Sequence, residues 1–243
     1  MNRILLPTLL ILAACTDKET ASPDEPTDTG TAEVVEEGCV RINGAGGWAT
    51  IKDALDAAVD GDVIYLCAGT YNEKVKIEKA VTIKGPNTGE PAIIVGPEAD
   101  SAVSVRADGV MLSWVTVQSQ DMGIYIRDVS DTTIQAVTVN DVVGPAVRAA
   151  GSTDLLIQAC HFNGTPASAF LIDADGTATL LNNHFDASVG YAVRAKDGAT
   201  ITLEGNEFTG TEANDDGFNA ALRVTEGATS ISTNNVFSGN TGY

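Results

Sequence analysis

The chain has 243 residues, enough for one large domain or two small ones. Its 33 acidic against 14 basic residues give a formal charge of -19, which argues against a nucleic-acid partner and against passive adsorption to an anionic membrane face. Aromatic residues make up only 5%, low for a sugar groove lined with Trp and Tyr.

The N-terminus reads as a targeting segment. Arg3 precedes an apolar run from Ile4 to Ala14, too short to span a bilayer as a mature helix. The tetrad Leu12-Ala13-Ala14-Cys15 resembles the bacterial lipobox. That resemblance implies removal of residues 1–14 and a diacylglycerol on the Cys15 thiol. Thr16, where an Asp favours inner-membrane retention in enteric bacteria, points to the outer membrane or cell surface, with the periplasmic side as the alternative. Residues 15–38 then form a lipidated tether. They are acidic, rich in Thr, Pro and Glu, and nearly free of large apolar groups, so the segment is expected to stay disordered and extended. The membrane is expected to be reached through the lipid alone.

The folded domain is expected over residues 39–243. Residues 48–61 read as one helix: Thr50 and Asp53 approximate a capping pair, Ile51, Ala54, Leu55 and Ala58 share a face, and Gly61 supplies the stop. Short strands follow in DVIYLC, YNEKVKI and AVTIKG. A lone amphipathic helix before a run of strands is suited to cover the open end of a stack. Cys39 and Cys67 flank this segment, and an extracytoplasmic location predicts a disulfide between them.

Beyond it the sequence repeats. Val117, Val139, Phe162, Phe185, Phe208 and Phe237 lie 22, 23, 23, 23 and 29 residues apart. Two residues before each sits a second column of Val115, Val137, Cys160, Asn183, Asn206 and Asn235. A short fixed period of β-branched and aromatic residues, broken by Gly-containing turns, is too short for two helices. It predicts an all-β, right-handed parallel β-helix with one coil per repeat. Cys160 falls in the inward column and is expected to be a core thiol, and the three asparagines are expected to form a structural ladder.

A second strand per coil carries Arg106, Arg127, Arg148, Arg194 and Arg223, expected near the outer surface. Guanidinium forks suit carboxylates, so a stripe of them could hold an acidic polysaccharide; as a solvated face, their stems would merely cover strand surface. His161 and His184 each precede an anchor Phe, and Glu207 continues the column. A His, His, Glu column could take a divalent transition metal or supply acid and base, and these three are the candidate catalytic residues. The long coil before Phe237 contains Asp215 and Asp216, which could hold calcium in a loop or simply form an acidic turn; Asp173-Ala-Asp175-Gly176 reads the same way. No other cofactor is expected. The final coil, with no visible cap after Phe237, is expected to support weak end-to-end self-association.

The segment Gly47-Trp48-Ala-Thr50-Ile51-Lys-Asp-Ala54-Leu55-Asp-Ala-Ala58, then Gly61-Asp62-Val-Ile64, then Gly69-Thr70-Tyr71, resembles the N-terminal signature of the pectin-lyase-like superfamily of right-handed β-helices. With the repeats, the resemblance covers roughly residues 40–243. It implies the fold and leaves the activity open, since the superfamily includes pectate lyases, pectin methylesterases, polygalacturonases, alginate epimerases and domains with no known reaction. The lyase Arg-x-x-Arg with a calcium-binding Asp pair and the epimerase Asp-Pro-His-Glu are absent. The methylesterase Gln, Asp and Arg set cannot be placed beyond the fragment Gln118-Ser-Gln120-Asp121. The sequence therefore predicts a lipid-anchored, non-catalytic module that binds polysaccharide or a partner. A polysaccharide lyase or epimerase is the first alternative, and a structural surface or assembly protein the second.

Overall fold

The computed structural model describes residues 38–188, 190–211 and 220–240. The signal, Cys15 and nearly all of the tether lie outside them, as do Asp215 and Asp216. No helix among the described residues is long and apolar enough to cross a membrane.

Three stacked sheets of ten, eight and seven strands wind into a parallel β-helix. A typical coil gives Thr177–Leu181 to the first sheet, His184–Asp186 to the second and Tyr191–Ala195 to the third. From Val63–Tyr65 onward, strands pair in parallel with their counterparts one repeat later: Ala178 opposes Ile201, Phe185 opposes Phe208, and Val193 opposes Leu222. Alternation along each strand sends one face to a shared core and the other outward.

The anchor column forms the spine of that core. Phe162, Phe185, Phe208 and Phe237 stack with ring centroids 4.9, 4.8 and 4.9 Å apart, close to the interstrand spacing. Val117 and Val139 continue the column fully buried. The neighbouring asparagines form the expected ladder. The Asn183 amide oxygen accepts from the Cys160 N–H at 2.9 Å, and its amide nitrogen donates to the Ile157 carbonyl at 2.8 Å. Asn206 repeats both contacts one coil on, toward the Asn183 N–H and the Leu180 carbonyl. Each buried amide is satisfied only because the coil beside it supplies the partner.

The ladder is needed because of a sharp corner. Trp114, Ala136, Ala159, Asn182, Gly205 and Asn234, each immediately before the second column, have φ between 51° and 64°. Their left-handed backbone turns the chain from the first sheet into the second. At the Ala159, Asn182 and Gly205 corners, the N–H that follows is capped by an asparagine oxygen of the next coil.

The N-terminal end is closed by β1 (Val40–Ile42), β2 (Ala45–Trp48) and α1 (Ile51–Ala57). β1 and β2 form an antiparallel hairpin about Asn43-Gly44, and β1 also pairs antiparallel with Val63–Tyr65. The helix buries Ile51, Ala54 and Leu55 against the first coil. It is shorter than the expected 48–61 at both ends. Trp48 belongs to the hairpin, and Ala58, with ψ of 159°, already leaves the helix. Gly61 is therefore not the stop. Instead Lys79 donates through Nζ to the carbonyls of Leu55, Asp56 and Ala58 at 2.7–2.9 Å, and the Asp62 carboxylate accepts from the Val59 N–H. At the other terminus the Thr50 hydroxyl accepts from the Asp53 N–H, and Glu73 accepts from Ile51 and Lys52. The Cys39–Cys67 disulfide is formed, with Cα atoms 5.7 Å apart. Cys160 is buried, and desolvation pushes its thiol up to about 12.

Candidate functional site

Two outer faces carry the candidate residues. On the third sheet, the expected single arginine stripe divides into two columns. Strand register puts Tyr125, Arg148, Leu171, Arg194 and Arg223 in line. Arg127 lies two residues along, opposite Ala150, and Arg106 precedes it in the same offset column, since Val105 opposes Ile126. The cause is the alternation itself: in both early strands the arginine follows the second inward residue, whereas in the later ones it follows the first.

Tyrosines link the columns. The Tyr125 ring takes the Arg106 guanidinium at 4.9 Å from one neighbouring coil and Arg148 at 5.6 Å from the other. Tyr191 takes Arg194 at 5.8 Å and Arg223 at 4.8 Å, and Arg223 also donates to its hydroxyl. Each such contact contributes about 0.5–1 kcal/mol at an exposed site and restrains the guanidinium beside the ring.

Carboxylates temper this basic surface. Arg148 pairs with Asp173 at 3.0 Å, and Asp173 is only 5% exposed. Arg127 pairs with Asp128, and Lys196 with Asp197. Asp197 is held below the usual carboxylate range by the hydrogen bond from Lys196 and then by one with Glu226. Arg106 and Arg194 have no carboxylate at ion-pair distance among the described residues. A shallow groove runs over this face between Tyr125, Arg148, Asp173 and Lys196. Asp173 is thus committed to an arginine rather than placed in an open acidic turn.

On the second sheet, His161, His184 and Glu207 do sit in register on adjacent coils. The histidine rings meet edge-on with centroids 4.8 Å apart. Glu207 engages His184, its Oε2 lying 3.1 Å from Nδ1. The group within reach of both histidines is Asp186, which the repeat pattern did not mark. His161, His184 and Asp186 each bring one ligand atom within 4.8 Å of the others. Phe185 points inward, so residues 184 and 186 share the outer face, and that period of two was the available signal. Asp186 is steadied by the Thr209 hydroxyl, which donates to its Oδ1 at 2.8 Å. Burial, and then the neighbouring His184, lower the His161 pKa against a smaller opposing pull from Asp186, so its imidazole is neutral over most of the physiological range.

Gln118, from the fragment compared with methylesterases, donates to Asn140 and Asp141 on the next coil. Those contacts tie coil to coil.

A stack of parallel coils with ladders inside and polar columns outside defines a right-handed parallel β-helix. Residues 101–243 match the family described as right handed beta helix region, and the chain belongs to that family. Among solved structures it resembles a pectin methylesterase in complex with a hexasaccharide, with a TM-score of 0.57 and 11% identity over 83% of this chain and 88% of that one. It also resembles the pectin methylesterase from Yersinia enterocolitica, with a TM-score of 0.52 and 13% identity over 78% and 90% of the two chains. At such identities the likeness concerns the fold. A cell surface glycoprotein of Methanothermus fervidus is 25% identical over 114 residues, which is 46% of this chain and 18% of that protein. The chain thus spans well under two thirds of the length of this relative.

Proposed function

We propose that the chain is a lipid-anchored, extracytoplasmic β-helix module that holds an acidic polysaccharide on the outer face of its third sheet without processing it. The observation that carries this reading is the guanidinium–tyrosine ladder. On a chain of charge -19, four of its few arginines lie over two tyrosine rings, Arg106 and Arg148 over Tyr125 and Arg194 and Arg223 over Tyr191. Guanidinium groups so held present planar donors to carboxylates. The flat, regular surface supports binding over catalysis, because a reaction needs converging groups in a cleft. The likeness to a cell surface glycoprotein is consistent with a place outside the cell, and the pectin methylesterases show that this fold can hold a sugar oligomer.

The test is retention of the purified protein on immobilised acidic and neutral polysaccharides at low and high salt. Arg148→Ala would leave buried Asp173 only the longer pairing with Lys196 at 3.9 Å, so the informative variant is Arg106→Ala with Arg194→Ala. We expect retention on an acidic glycan that falls with salt and drops in the variant. No retention on any acidic glycan at low salt overturns the reading, and release of unsaturated sugar products would replace it with a lyase.

A further inference from the structure

We propose that His161, His184 and Asp186 form a three-ligand site for a divalent transition-metal ion of the zinc class on the outer face of the second sheet. The three side chains come from two adjacent coils of a rigid ladder, so their spacing is set by strand register rather than by a loop. Their ligand atoms lie within 4.8 Å of one another. Bond lengths of about 2.0–2.2 Å place neighbouring ligand atoms of a tetrahedral zinc about 3.3–3.6 Å apart, so side-chain rotation of about an ångström closes the site.

Two imidazoles and one carboxylate favour zinc, nickel or copper over calcium or magnesium, which prefer all-oxygen shells. The surroundings also resemble those of built metal sites. Glu207 lies 3.1 Å from His184 Nδ1, which fixes the ring and leaves Nε2 for the ion. Thr209 holds one oxygen of Asp186 and leaves the other free. Three protein ligands leave a fourth position open to water or to an anionic oxygen of a bound molecule. This site is separate from the arginine face and does not depend on it.

The experiment is zinc titration of the full-length protein against a chromophoric chelator, with cobalt(II) as a spectroscopic substitute. We expect one zinc per chain, tetrahedral cobalt absorption, and shifts of the His161 and His184 ring-nitrogen NMR signals on saturation. His161→Ala and Asp186→Asn should each abolish stoichiometric binding, and Glu207→Gln should weaken it about tenfold. All three side chains point away from the core, and unchanged thermal unfolding of the apo variants will show that they fold. Zinc binding that calcium displaces, or that survives both ligand substitutions, would place the ion on the acidic surface and overturn the proposal. Failure of the parent to bind one equivalent would do the same.

Discussion

At its first coil the stack is shut by a helix, a hairpin and a disulfide; at its last described coil it ends on three strands left open. Ile51 and Ala54 are fully buried at the first end, whereas Ile231, Val236 and Phe237 are 60%, 57% and 52% exposed at the other. The two ends solve one problem differently. A parallel coil buries its apolar face only against a neighbour, so every inner coil is stabilised twice and a terminal coil once. The N-terminal coil replaces the missing neighbour with α1, and long-range polar contacts from Glu73 and Lys79 seal the helix ends. Among the described residues, nothing plays that part for Ala220–Val224, Thr229–Thr233 or Val236–Ser238, the outermost strands of their sheets. The terminal coil keeps the spine and the ladder, since Phe237 stacks on Phe208 and Asn235 accepts from the Asn206 N–H. It gains these contacts on one side only.

The same substitution at two points of the phenylalanine spine gives the widest separation. Phe185 is fully buried with a ring on each side, so Phe185→Ala should cost about 3–5 kcal/mol. Phe237→Ala removes one stacking contact from a half-exposed ring and should cost about 1 kcal/mol. Thermal unfolding at about 2–4 °C per kcal/mol for a domain of this size will separate the two. Equal losses would mean that the last coil is covered after all.

Opening the closed end is the second way to test the contrast. The Cys39–Cys67 bridge spans 28 residues and encloses the hairpin and α1. Loop-closure entropy assigns it about 3–4 kcal/mol, so Cys39→Ser with Cys67→Ser should lower stability by that amount and expose α1 to proteolysis. Cys160 should stay inert to alkylation in the same native samples, because burial keeps its thiol protonated. A variant as stable and as protease-resistant as the parent would shift the closure onto the helix contacts alone. A readily alkylated Cys160 would contradict its place in the core.

The sequence showed what repeats and hid what occurs once. The phenylalanine spine, the asparagine ladder and the parallel stack could be read because each coil restates them. So could the disulfide, once the compartment was inferred. The end of α1 could not, because Lys79 reaches its carbonyls from 21 to 24 residues away and no local signal marks that contact. The hairpin could have been found from Asn43-Gly44, whose positive φ at both residues suits a tight turn. The two arginine columns were visible in the alternation, since Arg106 and Arg127 stand two positions later in their strands than Arg148 does. Asp186 was missed for a different reason. Glu207 continues the histidine column in sequence, and only side-chain reach shows that the neighbour two residues along the strand comes within 4.8 Å of both histidines.

The smallest expected effect concerns what meets the open coil. A second copy is the simplest occupant, through a two-fold axis that brings the outermost strands edge to edge and pairs them antiparallel. Such a contact would join the exposed Ile231, Val236 and Phe237 of one molecule to those of the other. One coil's cross-section is a small interface, below the range of stable complexes, so the association should be weak. The net charge of -19 on each copy opposes it at low salt, and screening should relieve that repulsion. Sedimentation should therefore show a monomer that shifts toward dimer at about 100 μM, a free energy between those of millimolar and micromolar complexes, and more so as salt rises. Phe237→Glu places a charge in the contact and should return the protein to monomer, at a stability cost similar to that of Phe237→Ala because the stack on Phe208 is lost in both. A strict monomer across that concentration range, indifferent to salt and to Phe237→Glu, would leave the last coil exposed by itself, its edge blunted by Asn235 and by Asn240, which already caps the Thr211 N–H.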